Sequence, residues 1–227
     1  MTFPIDSDTF LISDSHFGHK AALVKEPSRL RAAQAYGYED FYTLHQSLWN
    51  EEVGKKDFVL HLGDLYYPGG FKYLKNLNGK KGLIVGNNDV ERYSKLKELK
   101  DWRVQRGLRL EIEQKDMILE ALKNKYGKSA LKDDVYFNAL VVDYDHERIM
   151  FSHFPVFNRK QNDRFAKTRD VLDDAFKFAD CSLNIHGHLH SRQTQNSFCF
   201  NVCCEQLGFR PKKLKEILTL WRHKAFI

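Results

Sequence analysis

The sequence predicts an α/β fold, a layered and largely parallel sheet with helices on it, from three observations. Short apolar runs stop abruptly at Gly, Asp, Asn or His. Stretches with apolar residues at helical spacing separate the first three of those runs. A turn-prone tetrapeptide splits a later pair of β-like segments, and the chain then returns to helix followed by strand.

Thr9 to Ser13 is the first apolar run and ends in Asp14, as a buried parallel strand does when polar residues sit at its C-terminal end. Asp57 to Leu62 is the second, closed by Gly63-Asp64, and Lys81 to Val85 the third, closed by Gly86-Asn87-Asn88-Asp89. Between the first two, Phe41, Leu44, Leu48 and Trp49 make an amphipathic helix of Glu39 to Val53; between the second and third, Phe71, Leu74 and Leu77 mark a shorter one. From about Asp101 to Asp134 the composition turns charged and helix-favouring, with Ile112, Met117, Ile118, Ala121 and Leu122 as one stripe. This reads as a helical insertion, either packed on the rim or capping a site. Val135 to Val142 and Arg148 to Phe151 form a hairpin around Asp143-Tyr144-Asp145-His146, and the second strand ends in Ser152-His153. A helix over Thr168 to Ala179, a strand over Ser182 to Ile185, a strand over Ser197 to Cys203 and a closing helix from Pro211 complete the reading.

At 227 residues the chain suits one domain, 1–227, with the insertion at about 101–134. Apolar residues are 42% and charged residues 29%, and no run approaches a membrane span, so a membrane partner is excluded. Met1 to Ser13 lacks the basic flank and small-residue site of a secretory signal, which leaves a cytoplasmic expectation. Cys181, Cys199, Cys203 and Cys204 do not form a CxxC pair and read as small buried side chains. A net charge of +6 favours polyanionic partners: phosphate esters, nucleotides or nucleic acid.

Five strand ends finish in groups that bind metals: Asp14-x-His16, Gly63-Asp64, Gly86-Asn87-Asn88-Asp89, Ser152-His153 and Gly187-His188-Leu189-His190. Singly each is a common turn or a core histidine; their recurrence in order, with glycine beside three of them, is the signal. Mixed carboxylate and imidazole donors suit Mn, Fe, Zn, Ni or Co better than Ca or Mg. Two such ions about 3.5–4 Å apart clamp a phosphoryl group and turn a bridging water into hydroxide near neutral pH. A shared carboxylate must hold them that close, and Asp64 is the candidate.

This ordered set resembles the calcineurin-like metallophosphoesterase family, whose signature runs D-x-H, G-D, G-N-H-D or G-N-H-E, H, and G-H-x-H. The string Ser13-Asp14-Ser15-His16-Phe17-Gly18-His19-Lys20 is similar to a small bacterial, archaeal and phage branch with a second His after Phe-Gly. The resemblance implies a four-layered αββα sandwich and two divalent transition metal ions, manganese first. Asp14, His16, Asp64 and His190 would hold one ion, and Asp64, Asn87, His153 and His188 the other. It further implies a phosphohydrolase acting on a phosphodiester or a nucleotide-type phosphomonoester.

One position departs from the signature, because Asn88 stands where the family has a His that protonates the leaving oxygen. An amide donates a hydrogen bond but no proton. Three readings follow. His19 restores the acid; or the substrate's leaving group needs little protonation; or the site binds metal and phosphate or nucleic acid without turnover. His45, His61, His146, His186 and His223 read as structural, with His61 and His186 next to the motifs. Lys80, Lys81, Arg159, Lys160, Arg164, Lys167 and Arg169 form either a phosphate-attracting rim or a solvated face, and Phe154, Phe157 and Phe165 offer stacking surfaces for bases. The number of chains in the assembly is not legible.

Overall fold

A computed structural model describes residues 2–128, 131, 136–159 and 161–224. One sheet contains β1 (Phe10–Ile12), β2 (Phe58–His61), β3 (Lys80–Ile84) and β4 (Trp102–Gln105), all parallel, with the two-residue β10 (Lys212–Lys213) antiparallel on the β1 edge. The other runs β5 (Leu108–Glu111), β6 (Ala139–Tyr144), β7 (Glu147–Ser152), β8 (Leu183–His186) and β9 (Cys199–Asn201), with only the β6–β7 pair antiparallel. Asp145 and His146, both at positive φ, turn the β6–β7 hairpin, as a primed two-residue turn requires.

Side-chain alternation explains why the sheets stack. Leu140, Val142, Ile149 and Phe151 pack with the first sheet in one core, while Ala139, Val141 and Met150 point the other way into a second core. That second core is closed by α5 (Lys115–Tyr126) and α6 (Ala166–Phe178), through Ile118, Leu122, Val171, Leu172 and Ala175. The first sheet is covered by α3 (Phe41–Glu52), whose Phe41, Leu44, Leu48 and Trp49 are all buried. Asp40 starts that helix by accepting the Thr43 N–H at 2.9 Å. Helix, sheet, sheet, helix is the expected four-layered order. The short helices α1 (Lys20–Lys25), α2 (Ser28–Ala35) and α4 (Phe71–Leu74) and the closing α7 (Leu214–Lys224) complete the chain. Among the described residues, no helix is long and apolar enough to cross a membrane.

The segment 101–134 differs from the helical reading. It carries α5, but it opens with β4 and β5, which extend the edges of the two sheets. Asn138 fastens this crossing, accepting the Gly107 N–H at 2.7 Å and donating to the Val85 carbonyl at 2.8 Å. The first hairpin strand is shorter at its start than the expected Val135 to Val142: Val135 lies outside the described residues, Tyr136 to Asn138 are not strand, and the strand runs Ala139–Tyr144. Pro211 does not start the last helix; it precedes β10, and the helix begins at Leu214.

Candidate metal centre

The exits of β1, β2, β3, β7 and β8 meet at one end of the sandwich. Asp14, His16, Asp64, His188 and His190 all adopt left-handed backbone, with φ of 57°, 48°, 56°, 69° and 54°. For residues with a Cβ this costs of order 1–2 kcal/mol each, and such strain concentrates at functional sites. Cross-strand bonds hold it: the Asp14 N–H donates to the Gly63 carbonyl and the His16 N–H to the Asp64 carbonyl, each at 3.0 Å, and the His188 N–H donates to Asp14 Oδ2 at 2.8 Å.

The side chains form two overlapping groups: Asp14 clusters with His16 and His190 and also with Asp64 and His153, while Asp64 faces histidines of both. In the first, Asp14 Oδ1 lies 3.6 Å from both His16 Nε2 and His190 Nε2, and His16 Nε2 lies 3.6 Å from Asp64 Oδ2. In the second, His153 Nε2 lies 3.6 Å from Asp64 Oδ1, 3.0 Å from Asn87 Oδ1 and 3.3 Å from His188 Nδ1. Donors about 2.1 Å from a shared ion stand about 3.0–3.4 Å apart in octahedral or tetrahedral geometry; the 3.0 and 3.3 Å spacings around His153 fall in that range, and the 3.6 Å spacings exceed it by about 0.2 Å. Two buried atoms, Asp14 Oδ1 and His16 Nε2, have no hydrogen-bond partner among the described residues, which is costly unless a cation occupies the space between them. The tautomers agree with that requirement. His153 Nδ1–H donates to the Leu62 carbonyl at 2.9 Å, and His190 Nδ1–H to Glu205 Oε1 at 3.1 Å, so each ring turns the lone pair of Nε2 inward.

The electrostatics are arranged around the carboxylates. Burial pushes the Asp14 carboxyl up, but His153, His16 and His190 together hold it well below the ordinary carboxylate range. Burial, with Asp64 beside it, pushes Asp89 up to about 7. Asp89 accepts the N–H groups of Asp64, Leu65 and Gly86 at 2.7, 2.9 and 2.9 Å, and so ties the ends of β2 and β3 together. Burial opposes ionisation of Glu205, yet His190 and Arg29 bring it down to about 2. Behind the Asp14-Ser15-His16 turn, Ser15 Oγ is 2.9 Å from both His61 Nε2 and His45 Nε2. The Gly63 N–H donates to His61 Nδ1, and His45 Nδ1–H to the Phe209 carbonyl. The hydroxyl therefore accepts from His61 and donates to His45, leaving every polar atom of this buried array satisfied.

With this geometry established, three comparisons identify the relatives. Residues 9–192 match the family described as calcineurin-like phosphoesterase. The chain belongs to that family. It is also similar to the Gene 66 protein of Mycobacterium phage D29, at 28% identity covering 82% of this chain and 80% of that protein. A crystal structure of a protein of unknown function from Aquifex aeolicus shares the fold, with a TM-score of 0.62 at 22% identity over 93% of this chain and 98% of that one.

In this calcineurin-like phosphoesterase the paired groups open into a cavity of about 660 Å³. His16, Asp64, Asn87, His188 and His190 line it, as do His19 and Asn88; Asp14 and His153 lie buried behind. Asn88 is turned toward the shared carboxylate, its N–H donating to Asp64 Oδ1 at 2.8 Å and its Nδ2 to Oδ2 at 2.5 Å. Its Oδ1 accepts from Tyr67 at 3.2 Å. The His19 ring stacks on Tyr67 with centroids 3.7 Å apart, its Nδ1 3.2 Å from His16 Nδ1; burial, then His16, pushes its pKa down to about 4.

The cavity's cations are Lys25, Arg164 and Arg192. Arg164 was within the basic cluster seen in sequence; Lys25 and Arg192 stood in no motif. The rest of that cluster has other partners or lies elsewhere. Lys81 is buried against Asp101 and the Leu77 carbonyl, Arg169 is buried against Asp163, Arg159 pairs with Asp170, and Lys160 lies outside the described residues. No described residue of 101–134 lines the cavity, so nothing supports a cap there. Cys203 and Cys204 are buried, but they touch the site: Cys203 Sγ lies 3.2 Å from Asp14 Oδ2 and Cys204 Sγ 3.3 Å from Arg29 Nη2.

Proposed function

We propose that this chain hydrolyses phosphodiesters or nucleotide-type phosphomonoesters with two divalent transition metal ions, manganese first. Asp14, His16, Asp64 and His190 would hold one ion, and Asp64, Asn87, His153 and His188 the other. The observation that carries the reading is Asp64, whose Oδ2 faces His16 Nε2 while its Oδ1 faces His153 Nε2, each at 3.6 Å. Such ions neutralise charge on a phosphoryl group and lower the pKa of water. Two divalent cations against two carboxylates leave a net positive site, which selects anionic esters.

The chain's own residues supply the rest. Lys25, Arg164 and Arg192 attract the anion to the cavity. His16 Nδ1–H faces His19 Nδ1, so His19 keeps Nε2–H to offer a substrate oxygen. A ring that resists protonation serves there as a hydrogen-bond donor, which favours esters whose leaving group needs little protonation. The other reading, a metal- and phosphate-binding protein without turnover, rests on Asn88 alone.

Hydrolysis of bis-p-nitrophenyl phosphate with added Mn, Ni, Co or Zn is the expected result; rates no higher than the metal blanks in all four would reject the enzyme. Asn88→His is expected to raise kcat on alkyl esters more than on p-nitrophenyl esters, by up to about 10²-fold. Equal rates on both would mean that an acid is already present, with His19 as the candidate; lower rates on both would report the loss of the Asn88 Nδ2 bond to Asp64.

A further inference from the structure

We propose that Arg29 and Glu205 are positioning residues for the ion on the Asp14 side, Glu205 acting through His190 and Arg29 through both Glu205 and the Asp14-Ser15 turn; the inference rests on the two-ion reading above. Neither residue belongs to a strand-end motif. Arg29 lies on α2, 176 residues from Glu205, yet its side chain is fully buried, and Glu205's is 3% exposed.

The guanidinium spends its donors in one direction. Nε and Nη2 reach Glu205 Oε1 at 2.8 and 2.5 Å, Nη2 also reaches the Asp14 carbonyl at 2.7 Å, and Nη1 reaches the Ser15 carbonyl at 3.1 Å. A single arginine thus grips two consecutive peptide groups of the turn whose flanking residues, Asp14 and His16, have left-handed backbone. A lone buried ion pair contributes little net stability, so holding this turn is the more specific consequence of burying it. Lysine has the charge but not the planar fork needed to reach three oxygens at once.

Glu205 Oε1 also receives His190 Nδ1–H at 3.1 Å. That bond fixes the tautomer, and the opposite ring atom, Nε2, is the one lying 3.6 Å from Asp14 Oδ1. Carboxylates in this position orient ligating imidazoles and raise their basicity, and their loss typically weakens metal binding by about 10–100-fold. Arg29 therefore acts twice on one half of the centre, on the Asp14 turn directly and on His190 through Glu205. The described contacts of both residues include none with Asn87, His153 or His188.

The test is a Mn²⁺ titration of metal-free protein, reading both dissociation constants. Glu205→Gln should weaken one ion by about 10–100-fold and leave the other nearly unchanged. In a His190→Ala background the same substitution should cause little further loss, whereas in a His188→Ala background it should keep its full effect. Arg29→Lys should weaken the same ion and carries the test if Glu205→Gln fails to fold. Unchanged constants, equal weakening of both ions, or a full Glu205→Gln effect in the His190→Ala background would each overturn the proposal. Fewer than two ions in the unaltered chain would instead remove the two-ion reading, and this inference with it.

Discussion

Asp64→Ala is expected to release both metal ions at once and to lower kcat/KM by about 10³-fold or more, since each 1.4 kcal/mol or so of lost transition-state stabilisation is a factor of ten and a metal supplies several. The expectation follows from position. Asp64 leaves β2 with φ of 56°, and its carboxylate stands between the two histidine groups with one oxygen toward each. Its orientation is fixed by the N–H and Nδ2 of Asn88 and, through the backbone, by Asp89. Removing His190 subtracts a donor from one group only, so His190→Ala should weaken one ion and leave the other nearly unchanged. Elemental analysis of the purified variants, with hydrolysis of bis-p-nitrophenyl phosphate alongside, makes the comparison. Two ions per chain in Asp64→Ala would dismiss the bridging role.

The residues that converge were legible for a structural reason. Parallel neighbours place their exits along one sheet edge, so Asp14, Asp64 and Asn87 come together on the first sheet and His153 and His188 on the second, and the stacking of the two sheets brings both sets to one end. Their supports were not. Arg29 sits on a short helix of weak apolar pattern and Glu205 in a loop, and only the tertiary approach of those segments joins them. Lys81 misled because a charged residue opening an apolar run reads as exposed, whereas Asp101 and the Leu77 carbonyl satisfy it in the interior. Strands β4 and β5 hid in a segment rich in charge: Trp-Arg-Val-Gln and Leu-Arg-Leu-Glu alternate over only four residues each, and edge strands tolerate such charges. Helix α5 next to them has the longer and clearer period, so its pattern dominated the segment.

Gly63→Ala is expected to cost about 2–5 kcal/mol of stability, combining left-handed strain with overpacking, and to damage the centre beyond what that loss explains. Gly63 has φ of 96°, and an added Cβ would lie 2.6 Å from Gly86 Cα, 2.7 Å from Gly86 N and 2.8 Å from His153 Nδ1. Two of those atoms are backbone, and neither can retreat cheaply, because the Gly86 N–H is committed to Asp89. The third orients a candidate ligand through Leu62, so moving it turns His153 Nε2 away from Asp64. Gly63 also accepts the Asp14 N–H, and any backbone shift there displaces the first strand's exit as well. Gly37 separates the causes: its φ is 74°, but nothing lies within 4 Å of an added Cβ, so Gly37→Ala should show only the conformational cost of about 1 kcal/mol. Urea unfolding of both variants in EDTA isolates the fold from the metals, and Mn²⁺ binding then reports on the centre. If Gly63→Ala proves no less stable than Gly37→Ala and binds Mn²⁺ as the unaltered chain does, the close approach of the β2 and β3 exits is not what holds these carboxylates and imidazoles in register.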